Sequence, residues 1–269
     1  MKLASTRRGA GPLLVCHPGG PGFSRAELAD LGGLDATREL VLVDPRGTGA
    51  TGPAETYRLD DYVADLDGLR EDLALEAVDL LGFSHGGIVA IAYAAAFWSR
   101  VSRLLLVDTL ACWGDEAEGA MQRAIETRRD KPWFEEAQKA IAEEQAGEFS
   151  SIEELVANLQ RQAPLYFHRW EGNEQTGREL FADFVQSEPL HHFNTVEFPT
   201  FDLRGELRTI AAPTLVVVGD DDLIAGPVCA DTMLRELPDA RLVTIRDAGH
   251  FVYVEQPAAF RAALTDFLL

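Results

Sequence analysis

No apolar run in this chain approaches the ~20 residues that a membrane-crossing helix needs, and its 46% hydrophobic content is spread through short stretches. No membrane partner is expected. The segment Met1–Gly11 carries basic residues but no apolar stretch of signal-peptide length, so the expected location is the cytoplasm. Cysteine is scarce. Cys16, Cys112 and Cys229 are odd in number and far apart, which suits reduced thiols better than a disulfide framework, and no CxxC or other metal-binding spacing occurs. Neither a metal nor a cofactor is expected. Positive charge is scarce too: 24 Lys and Arg face 44 Asp and Glu, a formal net charge of -20. Nucleic acid, a polyphosphate that needs basic surface, is therefore an unfavourable partner. Such acidity serves solubility first and weak attraction of cationic substrates second. Internal repeats and low-complexity linkers are also absent, so inserted segments should pack rather than swing.

What the chain does contain is an alternation of short β-branched runs with longer stretches of helical period, the pattern of a mostly parallel α/β sheet. The expected strands are Leu13–Cys16, Leu40–Val43, Val78–Leu81, Leu104–Val107, Thr214–Val218 and Arg241–Ile245, with a further one over Lys2–Thr6. That makes about seven. Helical stripes include Tyr62, Leu66, Leu69 and Leu73, then Ile88, Ile91, Ala92 and Ala95, then Phe260, Leu264, Phe267 and Leu268. The alternation stops after Val107 and resumes at Pro213, with helical, Glu- and Gln-rich sequence between. Residues 111–200 are accordingly expected to form a helical cap, inserted into a core of residues 1–110 and 201–269.

The run Val78–Leu81 leads into Gly82-Phe83-Ser84-His85-Gly86 and an apolar helix, which is the G-x-S-x-G nucleophile elbow in its strand, turn and helix setting. Ser84 sits at its tip. This elbow, the earlier His17-Pro18-Gly19-Gly20-Pro21-Gly22 and Asp44-Pro45-Arg46-Gly47-Thr48-Gly49, and the late Ala248-Gly249-His250 follow the order of the α/β-hydrolase superfamily, which the chain resembles. The Gly-Gly-Pro-Gly loop followed by Asp-x-Arg-Gly-x-Gly is most similar to the proline iminopeptidase branch.

An acyl-transferring serine needs amide donors where the oxyanion develops, commonly one after the nucleophile and one after an earlier strand. His85 supplies the first by position, and Gly20, favoured over Gly19, supplies the second. The base follows the acid in this fold's chain order, which singles out His250 among histidines 17, 85, 168, 191, 192 and 250. For the acid, Asp220, Asp221 and Asp222 compete. The superfamily's Gly-x-x-Asp pattern carries over to Asp222, whereas relatives that take the acid from the preceding core strand point to Asp108. The adjacent His191-His192 pair lacks the company of a metal site. Asp44 and Arg46 read as braces of the turn, and Trp170, Glu171, Trp133 and Phe134 as cap residues that either line a pocket or simply pack.

The resemblance implies a hydrolase acting on a small molecule without a cofactor. Where aminopeptidase relatives often carry an acid soon after the catalytic aspartate, this chain has Leu223-Ile224, and its elbow reads Gly-Phe-Ser-His rather than Gly-Gly-Ser-Trp. With Phe23 in the oxyanion loop, those residues favour an ester or lactone, with removal of an N-terminal proline as the alternative. A slow-turnover small-molecule receptor that keeps the same residues is a further reading.

Overall fold

Alternate residues of the central strands enter two separate cores. In the computed structural model, which describes residues 1–147, 149–182 and 186–269, a single sheet holds β1 (Ala4–Arg8), β2 (Leu13–His17), β3 (Glu39–Asp44), β4 (Val78–Phe83), β5 (Val101–Val107), β6 (Thr214–Gly219) and β7 (Ala240–Ile245). Their order is β1-β3-β2-β4-β5-β6-β7. Only the β1 and β3 pair is antiparallel among the described strands. Val41, Val43, Leu104, Leu106, Val216 and Val218 face one core, and Leu40, Leu42, Leu105, Val107, Leu215 and Val217 face the other. Burial on both faces explains why these strands read as unbroken apolar runs.

Two helices precede β5, α1 (Leu59–Asp72) and α2 (His85–Ala96). Between β5 and β6 come α3 (Asp115–Glu126), α4 (Phe134–Ala146), α5 (Ile152–Gln162), α6 (Glu174–Ala182), α7 (Ser187–His192) and α8 (Arg204–Leu207), and after β6 come α9 (Pro227–Glu236), α10 (Val252–Glu255) and α11 (Pro257–Leu268). Tyr62, Leu66 and Leu69 of α1 and Ile88 and Ile91 of α2 fill the first core, while Phe260, Leu264 and Leu268 of α11 fill the second. Helical stripes thus cover both faces. Among the described residues no helix is long and apolar enough to cross a membrane.

The first strand lies two residues beyond its expected position. Its sequence, Ala-Ser-Thr-Arg-Arg, leaves four of five side chains exposed and offers no apolar marker. Register comes from the ladder Ala4↔Asp44 to Arg8↔Leu40 and from the Ala4 amide, which donates to Thr51 Oγ1 at 2.8 Å. The stretch expected as a cap, 111–200, includes residues 148 and 183–185, which lie outside the described residues. Its described helices rest on the sheet's second core through Leu155, Leu159, Phe167 and Phe181.

Candidate active site

Functional side chains of parallel sheets gather where strands end and loops turn toward the next helix. Here β4 runs directly into α2 through Ser84, whose backbone is held at φ 51° and ψ -120°. A residue with a Cβ tolerates this poorly, so neighbours must enforce it. The Ser84 amide donates to the Val107 carbonyl at 2.9 Å, and the Ser84 carbonyl accepts from Thr109 Oγ1 at 2.7 Å and the Gly87 amide at 2.8 Å. A Cβ on Gly82 would overlap the Gly86 carbonyl, one on Gly86 would overlap the Pro18 carbonyl, and one on Gly87 would overlap the Thr109 side chain. Gly87 and Thr109 therefore belong to the elbow as fully as the two motif glycines. The motif does not include them, and a Gly-Gly step beside a strand-end threonine is the one trace they leave in the sequence.

The loop after β7 brings His250 over this turn. Ser84 Oγ donates to His250 Nε2 at 3.0 Å, and His250 Nδ1 donates to Asp222 Oδ2 at 2.9 Å. The other Asp222 oxygen accepts from the Ile224 amide at 2.8 Å. An acceptor-only carboxylate at Nδ1 keeps the proton there and leaves Nε2 as the acceptor for the serine hydroxyl. Burial pushes the Asp222 carboxyl up, but its pairing with His250 and the amides of Ile224 and Ala225 outweigh this and hold the group below its ordinary value. Three residues named from sequence thus form one hydrogen-bonded chain.

The competing aspartates have other partners. Asp220 Oδ1 accepts from the Ala248 amide at 3.4 Å, and Asp221 pairs with Arg128 at 2.8 Å and with His168 at 3.1 Å. Asp108 is fully buried at φ 43°, and its Oδ1 accepts from the Gly219 amide at 2.9 Å. Among the described residues its Oδ2 has no hydrogen-bond partner. Burial, with the negative charge of Asp222, raises Asp108 well above the ordinary carboxylate range. Among the described residues no hydrogen bond joins it to His250.

The two glycines of the loop after β2 differ sharply. The Gly19 amide donates to Glu27 Oε2 at 2.6 Å, whereas Gly20, at φ 102°, keeps its amide out of any hydrogen bond among the described residues. The His85 amide, first in α2, is likewise unengaged among them. Both N–H groups thus stay unengaged among the described residues, one of them at a helix N-terminus. The His85 ring packs 5.3 Å from Tyr62 and 5.0 Å from Phe193, and burial, reinforced by His17, lowers its pKa to about 3. It is a neutral packing ring.

Other sequence candidates lie elsewhere. Arg46 pairs with Asp65 at 2.8 Å and donates to the Thr56 and Asp61 carbonyls, which makes it a brace of the turn. Trp133 packs with Leu165 and Leu223, Phe134 is buried, and Trp170 packs on Phe167 at 5.6 Å. Glu171 is exposed. His192 meets Glu197 at 3.4 Å, and among the described residues no cluster of three potential metal ligands occurs. The Leu223-Ile224 pair lines a cleft of about 160 Å³ with Met121, Ala124, Pro227 and Asp222, and Ser84 is not among its lining residues. A leucine following the acid loop is drawn into the helices above because Ala137 and Leu165 offer it a buried surface. Tyr166, beside the relay, carries no sequence signal: it accepts the His250 amide on its carbonyl at 2.8 Å and lies 5.7 Å from the imidazole. Glu144, whose charge acts on Tyr166, accepts from Gln162 at 2.7 Å and has its pKa raised by burial.

Residues 12–257 match the family model of the α/β-hydrolase fold. The chain belongs to that family. It is 30% identical to the proline iminopeptidase PfmaB of Pestalotiopsis fici over 91% of this chain and 87% of that protein. The enol-lactonase from Burkholderia xenovorans superposes with a TM-score of 0.76 at 24% identity, covering 99% of this chain and 96% of the other. A thermophilic esterase from Thermogutta terrifontis gives 0.73 at 24%, covering 99% and 92%. At that identity the two structures speak to the fold alone. As an α/β-hydrolase similar to a proline iminopeptidase, the protein is a hydrolase.

Proposed function

We propose that the protein is a serine hydrolase that cleaves a carboxylic ester or lactone of a small molecule through an acyl-enzyme. The observation that carries this reading is the relay from Ser84 through His250 to Asp222, with links of 3.0 and 2.9 Å at a strained elbow. Ser84 Oγ attacks the substrate carbonyl while His250 Nε2 takes its proton. Asp222 holds the imidazole and stabilises its charged form. The Gly20 and His85 amides receive the oxyanion. Collapse of the tetrahedral intermediate breaks the bond to the alcohol oxygen, which leaves with the proton from His250. Water, deprotonated by the same nitrogen, then releases the acid and restores Ser84. Apart from that water, each step uses groups this chain supplies itself.

An iminopeptidase reading has support in the 30% identical relative. It requires carboxylates free to hold a charged amine. Glu144, the half-buried acid near Tyr166, is already engaged by Gln162, and burial disfavours its charged form. Glu171 is exposed. These features favour an uncharged acyl group.

Initial rates of wild-type protein and Ser84→Ala on a short-chain aryl ester, an acyl lactone and a proline arylamide test the proposal. Ester or lactone turnover that drops ~10³-fold or more in Ser84→Ala, beside a silent arylamide, is expected. A dominant arylamide rate would transfer the assignment to the iminopeptidase. Negligible turnover of all three would favour a receptor that retains the relay.

A further inference from the structure

Near the His250 loop one carboxylate is occupied by backbone amides from two distant segments. Glu255 closes α10, five residues beyond His250. Its Oε2 accepts from the Gly249 amide at 2.7 Å and the His168 amide at 3.1 Å, and its Oε1 accepts from the Arg169 amide at 3.1 Å. Gly249 is the immediate neighbour of His250. His168 and Arg169 lie before α6, in the helical layer inserted between β5 and β6. The same segment meets the histidine loop again, because the His250 amide donates to the Tyr166 carbonyl at 2.8 Å and a Cβ on Gly249 would lie 2.8 Å from the His168 nitrogen.

A half-buried carboxylate that gathers three amides is expensive to leave idle. Burial raises the pKa of Glu255, and the amides of Gly249, Arg169 and His168 oppose that shift by stabilising the charged form. The group contributes no proton to the chemistry and is not in the relay. Its contacts instead fix where the loop carrying His250 lies relative to the helices above it. Those contacts fall on the glycine beside the base, the most deformable point of the loop.

We propose that Glu255 is a positioning residue for His250, a clamp that ties the loop of the base to the inserted helical layer so that displacement of that layer moves the imidazole. The inference rests on the serine-hydrolase reading of the Ser84 relay. It implies that the relay is set jointly by the sheet and by the segment Tyr166–Arg169. A loosened loop costs alignment of Nε2 with the serine hydroxyl, and an error near 1 Å at a reacting group lowers rates by about 10²-fold.

The test is the rate at which a small fluorophosphonate labels Ser84 in the full-length wild-type protein, Glu255→Gln, Glu255→Ala and Ser84→Ala. This reagent reports activation of the serine whatever the natural substrate is. Glu255→Gln keeps the size but turns one acceptor into a donor facing an amide, so it loses at least one clamp bond and retains the fold. Labelling about tenfold slower in Glu255→Gln and slower still in Glu255→Ala is expected, at a temperature where circular dichroism shows both folded. On any ester turned over, kcat falls and KM stays within twofold. A purely structural role would lower the melting temperature and leave the labelling rate of folded protein unchanged, which would overturn the clamp. Should Glu255→Ala fail to fold, Glu255→Gln alone decides. Wild-type protein that labels no faster than Ser84→Ala would instead remove the relay reading beneath it.

Discussion

Asp108 and Asp222 share one buried corner, with their carboxyl groups pushed in opposite directions. Asp222 faces an imidazole and is pushed toward its charged form, whereas Asp108 is pushed toward its neutral form by burial first and by the charge of Asp222 second. Its folded pKa is raised, so the stability tied to its proton is fully present below the unfolded value near ~4 and is lost as pH rises toward the folded value. Asp108→Asn preserves the Gly219 acceptor and cannot ionise. Its thermal midpoint relative to wild type should rise between pH 4 and pH 8, and an unchanged difference would exclude a neutral Asp108. Gly82→Ala tests the elbow itself. The added Cβ overlaps the Gly86 carbonyl, so urea unfolding should report a loss of about 1–3 kcal/mol, the usual cost of overpacking. At this scale the sequence is informative where chemistry restricts residue type, as at Ser84 and His250. It is silent on Tyr166, which meets His250 through its backbone carbonyl, and on Glu255, whose carboxylate accepts backbone amides that leave no mark in the sequence.

Elements differ in how plainly their sequences declare them. The central strands are evident because burial on both faces demands apolar residues at every position, as in Leu104–Val107 and Thr214–Val218. β1 is placed two residues off because edge pairing asks little of its side chains, four of which are exposed. The joint between α4 and α5 is equally hidden, being polar where a buried contact is expected to be apolar. Asn158 is 2% exposed, its Nδ2 donates to the Ala140 carbonyl at 3.0 Å and Glu143 at 3.2 Å, and its Oδ1 accepts from Gln162 at 2.8 Å. Asn158→Ala leaves Gln162 short of a partner and should cost about 1–3 kcal/mol in chemical unfolding. Asn158→Asp should cost more, because it sets a carboxylate against Glu143 and Glu144 and removes the donor. Amide exchange should then quicken in α4 and α5 before the sheet. If the two variants prove equal, the amide donor is not what joins these helices.

For the whole molecule, acid acts through two populations of groups with opposite sign. The net charge of -20 is self-repulsive, and protonating surface carboxylates near their ordinary values of about 4 relieves it. The buried histidines respond earlier. Burial lowers His17 to about 4 and, with His17 beside it, His85 to about 3. An unfolded chain protonates both near pH ~6.5, while the folded chain refuses those protons until far lower pH. Stability from the two rings is therefore fully present above about pH 6.5 and is lost as pH falls toward their folded values. Between pH 7 and pH 5 most surface carboxylates remain charged, and the two histidines pull the thermal midpoint down against the opposite pull of Asp108, whose pKa burial raises. His85→Leu places an apolar side chain of similar volume between Tyr62 and Phe193. It should flatten that fall while Cys16, Phe83 and the rest of the core stay as they are, because one of the two groups that bind protons only on unfolding is gone. Parallel curves for wild type and variant across that interval would mean that the acid sensitivity arises elsewhere.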